Sequence, residues 1–189
     1  KTALIDRAFT TLQSPRLQIR RFVEADARSL AGYRSDPEIA RYQGWDVPYS
    51  TTDARAFIAS LHDSHPGEPG SWYQFAVTLT QSDHLIGDCA LCPATDDPSL
   101  AELGFTFASA YHGFGYAREA VAAVLRYAVR DLCLGRFVAI TDHRNVPARR
   151  LLAVLGFEES PQRDIIPPSG RVRQHELLFV SPIDTGTGS

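Results

Sequence analysis

The chain has 189 residues, 44% of them hydrophobic and 22% charged, and a formal net charge of −3. This length and apolar content suffice for one domain with a buried core, and the small negative charge gives no electrostatic reason to expect nucleic acid as a partner. No run approaches about 18 apolar residues and no basic-then-apolar segment opens the chain, so we expect neither a membrane span nor a signal peptide.

Hydrophobic periodicity and turn residues predict an α/β chain. In chain order, the predicted elements are a strand at Leu17 to Phe22, a helix at Glu24 to Arg34, a turn through Tyr42, a helix from Thr51 to about His62, strands at Trp72 to Thr80, His84 to Leu91 and Leu100 to Phe107, a helix at Ala117 to Leu132, a strand at Phe137 to Thr141, a helix at Val146 to Leu155, and strands near Phe157 and at His175 to Val180. We predict a single domain over residues 1–189, with a core at about 14–181 and tails at 1–13 and 182–189.

The most informative stretch joins the strand ending at Phe107 to the helix beginning at Ala117, and it contains Gly113 and Gly115. Two glycines before a helix let the backbone turn tightly, so that several N–H groups point into one concavity. The first N–H groups of the helix lack partners and its dipole adds positive charge, so such a loop can bind phosphate with main chain alone. No Walker A string is present, and Arg118 stands where a Rossmann fingerprint needs its third glycine or alanine, so both nucleotide motifs fail.

Three segments resemble the GNAT superfamily of acyl-CoA N-acyltransferases, and the likeness runs from about Ser14 to Val180. His112, Gly115 and Ala117 match the pyrophosphate loop Q/R-x-x-G-x-G/A, with histidine as a departure at the first position. The segment NVPARRLLAVLGF at 145–157 resembles the family's N-x-x-[SA]-x-x-L-x-x-x-x-G-F helix. The patterns at 16–27 and 86–88 are similar to the Rim-type branch, which acetylates ribosomal-protein N-termini.

The resemblance implies a GNAT fold, a mixed and mostly antiparallel sheet with helices on both faces. Its central parallel strands splay apart at the acyl-CoA site, where the pantetheine arm pairs with one strand and the glycine loop holds pyrophosphate. The implied co-substrate-binding residues are Phe105, Thr106, Phe107, His112, Gly113, Phe114, Gly115, Tyr116, Ala117, Arg118 and Asn145. Asn145 has a second reading as the N-cap of the last helix, and both roles can hold together.

Alternation in the strand Leu100 to Phe107 places Glu102, Gly104 and Thr106 on one face. A strand covered by crossover helices is expected to be apolar on both faces, so this polar face suggests a lined cavity. Glu102 is therefore the candidate general base, because an ammonium must lose a proton before it attacks a thioester. The alternative is a glutamate that reaches solvent from a half-covered sheet.

The general acid is less defined. Many family members carry a tyrosine where Leu152 stands, and the Rim-type branch often carries a serine where Ala148 stands. Tyr111 or water could protonate the departing thiolate instead. The resemblance thus implies an enzyme that moves an acetyl group from acetyl-CoA to a primary amine by direct attack in a ternary complex. The alternatives are a non-catalytic acyl-CoA-binding module, and transfer of another acyl group or to an oxygen acceptor.

The acceptor is open between a protein or peptide N-terminus and a small amine. Trp45 and Tyr49 lie in the region that lines the acceptor pocket in relatives, and they are candidate substrate-binding residues; packing on the next helix is the alternative. Cys89 lies on the predicted strand His84 to Leu91, and Cys92 directly follows it. Residues three apart along a strand point to opposite faces, so we expect neither a redox pair nor a metal site. Reduced cysteines favour a cytoplasmic protein, and homodimers are common in the family.

Overall fold

The computed structural model describes residues 3–161 and 165–181, and an eight-stranded sheet organises them. The spatial order of the strands is β1-β2-β3-β4-β5-β6-β8-β7, and every neighbouring pair is antiparallel except β5 and β6. The strands are β1 (Thr11–Gln13), β2 (Leu17–Arg20), β3 (Tyr73–Leu79), β4 (Leu85–Pro93), β5 (Leu100–Phe107), β6 (Arg136–Asp142), β7 (Glu158–Glu159) and β8 (Glu176–Val180). The predicted mixed sheet with one parallel pair is confirmed.

Within the described residues, five α-helices and two 3₁₀ turns connect the strands. The helices are α1 (Ala27–Arg34), α2 (Pro37–Ala40), α3 (Thr51–Ser60), α4 (Tyr116–Arg130) and α5 (Val146–Val154), and the 3₁₀ turns are Glu24–Asp26 and Ser109–Tyr111. Local chemistry explains where they begin. Ser50 accepts a hydrogen bond from the Asp53 N–H at 3.0 Å and the Asp53 carboxylate accepts one from the Ser50 N–H at 3.0 Å, which is a capping box at α3.

Strand alternation divides the core between the two faces of the sheet. Phe75 and Val77 point to the face covered by α4, whereas Ala76 points to the face covered by α1 and α3. Val121 and Val124 of α4 are fully buried in the first cluster, and each such side chain contributes about 1.5–3 kcal/mol relative to exposure. The helices therefore lie on both faces, as predicted.

The N-terminal segment differs from the predicted tail. β1 pairs with β2, and the Phe9 ring is buried against Phe75 with ring centroids 5.4 Å apart. The Leu4 N–H donates to the Leu132 carbonyl at 3.0 Å, and the Tyr127 hydroxyl donates to Asp6 at 2.7 Å. A three-residue strand is too short for alternation to reveal, so the sequence pattern missed it. The other predicted tail, 182–189, lies outside the described residues.

Both cysteines of the C-x-x-C sequence lie on β4, which extends two residues beyond the predicted strand end at Leu91. Cys89 belongs to the core cluster beneath α4, while Cys92 pairs in register with Glu102 on β5. Both are free thiols with buried side chains, and burial raises the pKa of Cys92 to about 11. Within residues 3–161 and 165–181, no group of three potential ligands could hold a metal ion. No helix in the same portion is long and apolar enough to cross a membrane.

Candidate active site

The candidate site lies in a fork between β5 and β6. The two strands share three register pairs, the last of which joins Glu102 to Val138. Beyond it, in the part of the chain that the structure describes, β5 continues to Phe107 paired with β4 alone, and β6 continues to Asp142 paired with β8 alone. One edge of β5 therefore remains unpaired at the carboxyl ends of the parallel strands, which is where open α/β sheets bind ligands.

A cavity of about 550 Å³ occupies this fork. The end of β5, the glycine loop and the first turn of α4 form one wall, and α2 with the start of α5 forms the other. Eleven of the residues predicted to bind substrate, co-substrate or the leaving group line it: Phe105, Thr106, Phe107, Tyr111, His112, Gly113, Gly115, Tyr116, Ala117, Arg118 and Asn145. Phe114 lies outside this lining, because its side chain is 59% exposed at the tip of the loop.

The glycine loop presents unpaired backbone donors. Gly113 and Gly115 have φ angles of +83° and +79°, which L side chains rarely adopt. Within the described residues, the N–H groups of residues 113–115 make no hydrogen bond to protein, and the first turn of α4 adds further free N–H groups. The loop is thus a cluster of donors at the positive end of a 15-residue helix dipole, an arrangement suited to an anion.

Asn145 begins α5 on the opposite wall. Its side-chain oxygen accepts a hydrogen bond from the Ala148 N–H at 3.3 Å, and Pro147 follows within the first turn. The N-cap reading of Asn145 is therefore confirmed, while its contact with the co-substrate stays a prediction. Ala148 lines the cavity, whereas Leu152, one helical turn further along α5, is fully buried in the core and lies outside the lining.

Aromatic and imidazole groups edge the β5 wall. The His112 Nε2–H donates to the Phe107 carbonyl at 2.8 Å, which ties the loop to the end of the strand. A carbonyl can only accept, so Nε2 carries the proton. Tyr111 lines the cavity, with its ring centroid 6.3 Å from that of Tyr116 and 5.9 Å from that of His84, and its role as general acid stays a prediction.

Glu102 lies at the base of the fork rather than on the cavity wall. Its two carboxylate oxygens accept hydrogen bonds from the Ser169 N–H at 2.8 Å and from the Ser169 hydroxyl at 2.7 Å. The residue is 5% exposed, so it does not reach solvent. Burial raises the pKa of Glu102, and the two Ser169 hydrogen bonds oppose that rise. A raised pKa suits a base, but the carboxylate is already engaged, and its catalytic role stays a prediction.

Trp45 and Tyr49 surround Arg34 instead of lining the cavity. The Trp45 indole N–H donates to the Arg34 carbonyl at 2.8 Å, and the Arg34 guanidinium donates to the Tyr49 hydroxyl at 3.2 Å. The guanidinium carbon lies 4.6 Å from the Trp45 ring centroid and 4.2 Å from that of Phe57. This is the packing alternative noted from the sequence, and a role of Trp45 and Tyr49 in substrate binding stays a prediction.

Another ionisable pair lies behind the β5 wall. Asp88 of β4 pairs in register with Thr106, and the Tyr33 hydroxyl of α1 donates to its carboxylate. Burial raises the pKa of Asp88, while the nearby charge of Arg34 and the Tyr33 hydrogen bond oppose the rise. Burial likewise raises the pKa of Tyr33 well above its usual value. The pair connects α1 to the sheet directly behind the cavity wall.

The wall formed by α2 was missed by the sequence analysis. The residues that line the cavity without having been predicted to do so are Glu38, Ile39, Tyr42, Gln43, Ser109, Arg144, Pro147, Ala148 and Leu151. Among the described residues that line the cavity, Glu38 is the only one with a carboxylate. A signal was present, because Asp36 caps the N-terminus of α2 by accepting the Glu38 N–H at 3.0 Å, and Pro37 occupies the first turn. Reading this pair as a helix start would have placed Ile39 and Tyr42 on one face.

Comparison with known proteins adds an independent observation. The sequence model of the acetyltransferase (GNAT) domain matches residues 16–158. An uncharacterized N-acetyltransferase, p20 of Bacillus licheniformis, is 30% identical over 163 residues, which cover 86% of this chain and 90% of the relative.

Solved structures share the fold. Mycobacterium smegmatis RimJ, solved in complex with CoA-disulfide, aligns with a TM-score of 0.76 at 21% identity over 98% of this chain and 92% of its own. The ribosomal-protein-S5-alanine acetyltransferase of Vibrio fischeri aligns with a TM-score of 0.70 at 19% identity, over 95% of this chain and 100% of its own. At these identities, the likeness establishes the architecture of the chain.

Proposed function

Because this chain belongs to the GNAT acetyltransferase family, we propose that it is an N-acetyltransferase that takes acetyl-CoA as donor and a primary amine as acceptor. The amine nitrogen attacks the thioester carbonyl carbon directly, a C–N bond forms, and the C–S bond breaks to release CoA thiolate. The amine gives its proton to a base, and the thiolate receives one from Tyr111 or from water. No covalent enzyme intermediate is needed, so the buried cysteines have no role.

The fork carries this proposal. Its unpaired β5 edge offers backbone groups to the amide-rich pantetheine arm, and the free N–H groups of residues 113–115 suit pyrophosphate. The residues present therefore fit acetyl-CoA, with Phe105 to Phe107 beside the arm and Asn145 on the opposite wall. Alignment of two bound substrates is itself a large catalytic factor, with effective molarities of about 10⁵ M or more in well-oriented cases.

Two carboxylates are candidates for the base. Glu38 lines the cavity and can face the amine directly, whereas Glu102 needs a water to relay the proton, since Ser169 holds both of its oxygens. An α-amine has a pKa of about 8, so at pH 7 the site must favour its neutral form by roughly one pKa unit, whereas a lysine amine requires roughly 3.4 pKa units. One carboxylate acting on an α-amine or a similarly weak base is the easier chemistry.

The set of amines to be tested as acceptors, the acceptor panel, follows from the same reasoning. A ribosomal-protein alanine acetyltransferase shares the fold, so a peptide with N-terminal alanine belongs in the panel. Small α-amines and lysine-type amines complete it. We also propose a cytoplasmic location, which the three free thiols at Cys89, Cys92 and Cys133 support.

The decisive experiment measures thiol release from acetyl-CoA in the presence of each amine, with product mass confirming acetylation. Amine-dependent release is expected. Binding of acetyl-CoA without turnover of any amine would instead favour an acyl-CoA-binding module. Faster turnover of propionyl- or succinyl-CoA would identify another acyl group as the natural one, and products acetylated at a hydroxyl would identify an oxygen acceptor.

A matched pair of variants on α5 tests the location of the reaction. Ala148→Phe adds a ring to the cavity wall and is expected to abolish both acetyl-CoA binding and thiol release. Val154→Phe adds the same ring at a 56% exposed position of the same helix, so activity is expected to remain. Retained activity in a folded Ala148→Phe variant would exclude this fork as the donor site.

A further inference from the structure

Arg16, the residue before β2, contacts the glycine loop from outside the cavity lining. Its Nη1 donates to the Phe114 carbonyl at 2.8 Å, and its Nε donates to the Glu119 carboxylate at 2.7 Å. The guanidinium carbon also lies 4.5 Å from the centroid of the Tyr116 ring, which lines the cavity. One side chain therefore connects the loop tip, the first turn of α4 and an edge of the cavity.

The contact with Phe114 fixes the direction of one loop peptide. In a trans peptide, the Phe114 carbonyl and the Gly115 N–H point in opposite directions. Since the carbonyl points to Arg16, the N–H points away from Arg16, and Gly115 lines the cavity while Arg16 does not. In the described part of the chain, this N–H has no protein acceptor, so it is available to a ligand.

That direction is not secured by the loop itself. Glycine at positions 113 and 115 tolerates a wide range of backbone angles, so the intervening peptides can rotate at low cost. A rotated 114–115 peptide would present a carbonyl oxygen, rather than an N–H, to an anion in the cavity. The hydrogen bond from Arg16 opposes this rotation.

We propose that Arg16 is a positioning residue for the donor: it holds the 114–115 peptide so that the Gly115 N–H faces the pyrophosphate of acetyl-CoA. This inference rests on the proposed function, because it takes pyrophosphate as the ligand of the loop. It assigns no direct phosphate contact to Arg16, whose hydrogen bonds already go to protein groups.

Glu119 holds Arg16 in place. One carboxylate oxygen accepts from the Arg16 backbone N–H at 2.8 Å and from the Ser14 hydroxyl at 2.8 Å, while the other accepts from the Arg16 side chain. Burial opposes ionisation of Glu119, but these hydrogen bonds and the Arg16 charge lower its pKa on balance. The ion pair is internally neutral, so it orients the loop without adding net charge beside the phosphate site.

The test compares two ligands that differ in the phosphate part. Calorimetry measures the affinity of the full-length protein for CoA and for pantetheine, which shares the arm but lacks the pyrophosphate and nucleotide. Arg16→Ala is expected to weaken CoA binding about 10- to 100-fold, the loss typical of a charged hydrogen-bonding group, and to leave pantetheine binding unchanged. Urea unfolding checks that the variant is folded.

The outcomes separate this inference from the proposed function. If the wild type binds CoA no more tightly than pantetheine, the loop is not a pyrophosphate site and the donor assignment fails. If the wild type prefers CoA and Arg16→Ala keeps that preference, the positioning role is wrong. An equal loss of both ligands would also overturn it, because Arg16 would then serve only general structure.

Two further variants distinguish orientation from charge. Arg16→Lys keeps the charge, but one ammonium cannot reproduce the planar guanidinium that reaches Glu119 and the Phe114 carbonyl together, so it is expected to behave like Arg16→Ala. Full CoA affinity in Arg16→Lys would overturn the proposal in favour of charge alone. Arg126→Ala removes an exposed arginine of α4 and serves as the control for net charge, with CoA affinity expected to stay unchanged.

Discussion

Gly87→Ala is expected to distort the β5 wall of the cavity, because Gly87 lies on the neighbouring strand. Gly87 of β4 pairs in register with Phe107 of β5. A Cβ at position 87 would lie 2.4 Å from the Thr106 carbonyl oxygen and 2.6 Å from the Phe107 ring. Both contacts are far inside van der Waals separation, and one is to backbone, so the end of β5 must move.

The expected magnitude follows from two opposing effects. Overpacking typically costs about 1–3 kcal/mol, while replacing glycine by alanine recovers about 0.4–1 kcal/mol through the unfolded chain. We therefore expect Gly87→Ala to lower the free energy of unfolding by about 1–2 kcal/mol. CoA affinity should fall as well, because Thr106 and Phe107 line the cavity.

Gly104→Ala is the matched control, one strand away. Its added Cβ would meet the Ala90 methyl at 3.7 Å and the Trp72 ring at 3.8 Å, which are ordinary contacts. With no clash to oppose the entropic gain, this substitution is expected to be neutral or to stabilise by about 0.5 kcal/mol.

Urea unfolding followed by far-UV circular dichroism measures both variants, and a shifted midpoint at constant m reports stability alone. Equal effects of the two substitutions, or a stabilised Gly87→Ala protein with normal CoA affinity, would refute the steric argument.

Three further predictions concern the base, the core and acid stability. Removal of the general base typically lowers kcat about 10²- to 10⁴-fold. In pH–rate profiles of Glu38→Gln and Glu102→Gln, the base is the residue whose replacement lowers kcat less as pH rises. A profile that overlaps the wild type removes that residue from the mechanism. Leu152→Ala is expected to lower the free energy of unfolding by about 2–5 kcal/mol, because the side chain is fully buried. Val154→Ala, at a 56% exposed position, should change it by less than about 0.5 kcal/mol. Similar values for the two variants in denaturant titrations would contradict the burial argument. The pKa of Glu119 is lowered in the folded protein, so its ionised form stabilises the fold above pH 4.5, and this contribution is lost as pH falls through the folded-state pKa. Glu119→Gln should therefore make the free energy of unfolding depend less on pH on the acid side. An unchanged pH dependence would refute this prediction.

Much of the wall formed by β5, the glycine loop and α4 was predictable from sequence, because its structure depends on local sequence. Alternation placed a strand at Leu100 to Phe107 with the observed bounds of β5. Glycines at 113 and 115 followed by an amphipathic run predicted the loop and α4, with the helix starting one residue before the prediction. Backbone donors need no particular side chain, so a short motif defines that half of the site.

The opposite wall was less predictable, because it depends on how distant segments pack. Tyr42 and Arg144 line the same cavity although 102 residues separate them, and the Tyr42 hydroxyl donates weakly to the Arg144 carbonyl at 3.5 Å. The sequence analysis predicted a turn through Tyr42 after the helix ending at Arg34, and it therefore missed α2, whose Glu38 lines the cavity. Trp45 and Tyr49 lie in the segment expected to bind the acceptor, but they pack around Arg34 through cation–π contacts and do not line the cavity.

The sequence by itself therefore determined the order of most elements, the family and the glycine loop between β5 and α4, since these depend on periodicity, glycine geometry and helix ends. The tertiary structure alone decided which side chains are free to act. Glu102 lies on the predicted polar face, but Ser169, 67 residues away, holds its carboxylate. Arg16 precedes the predicted strand and had no predicted role, but packing brings its side chain to Phe114, 98 residues along the chain. Such contacts form only when the sheet brings remote segments together, and local patterns carry no record of them.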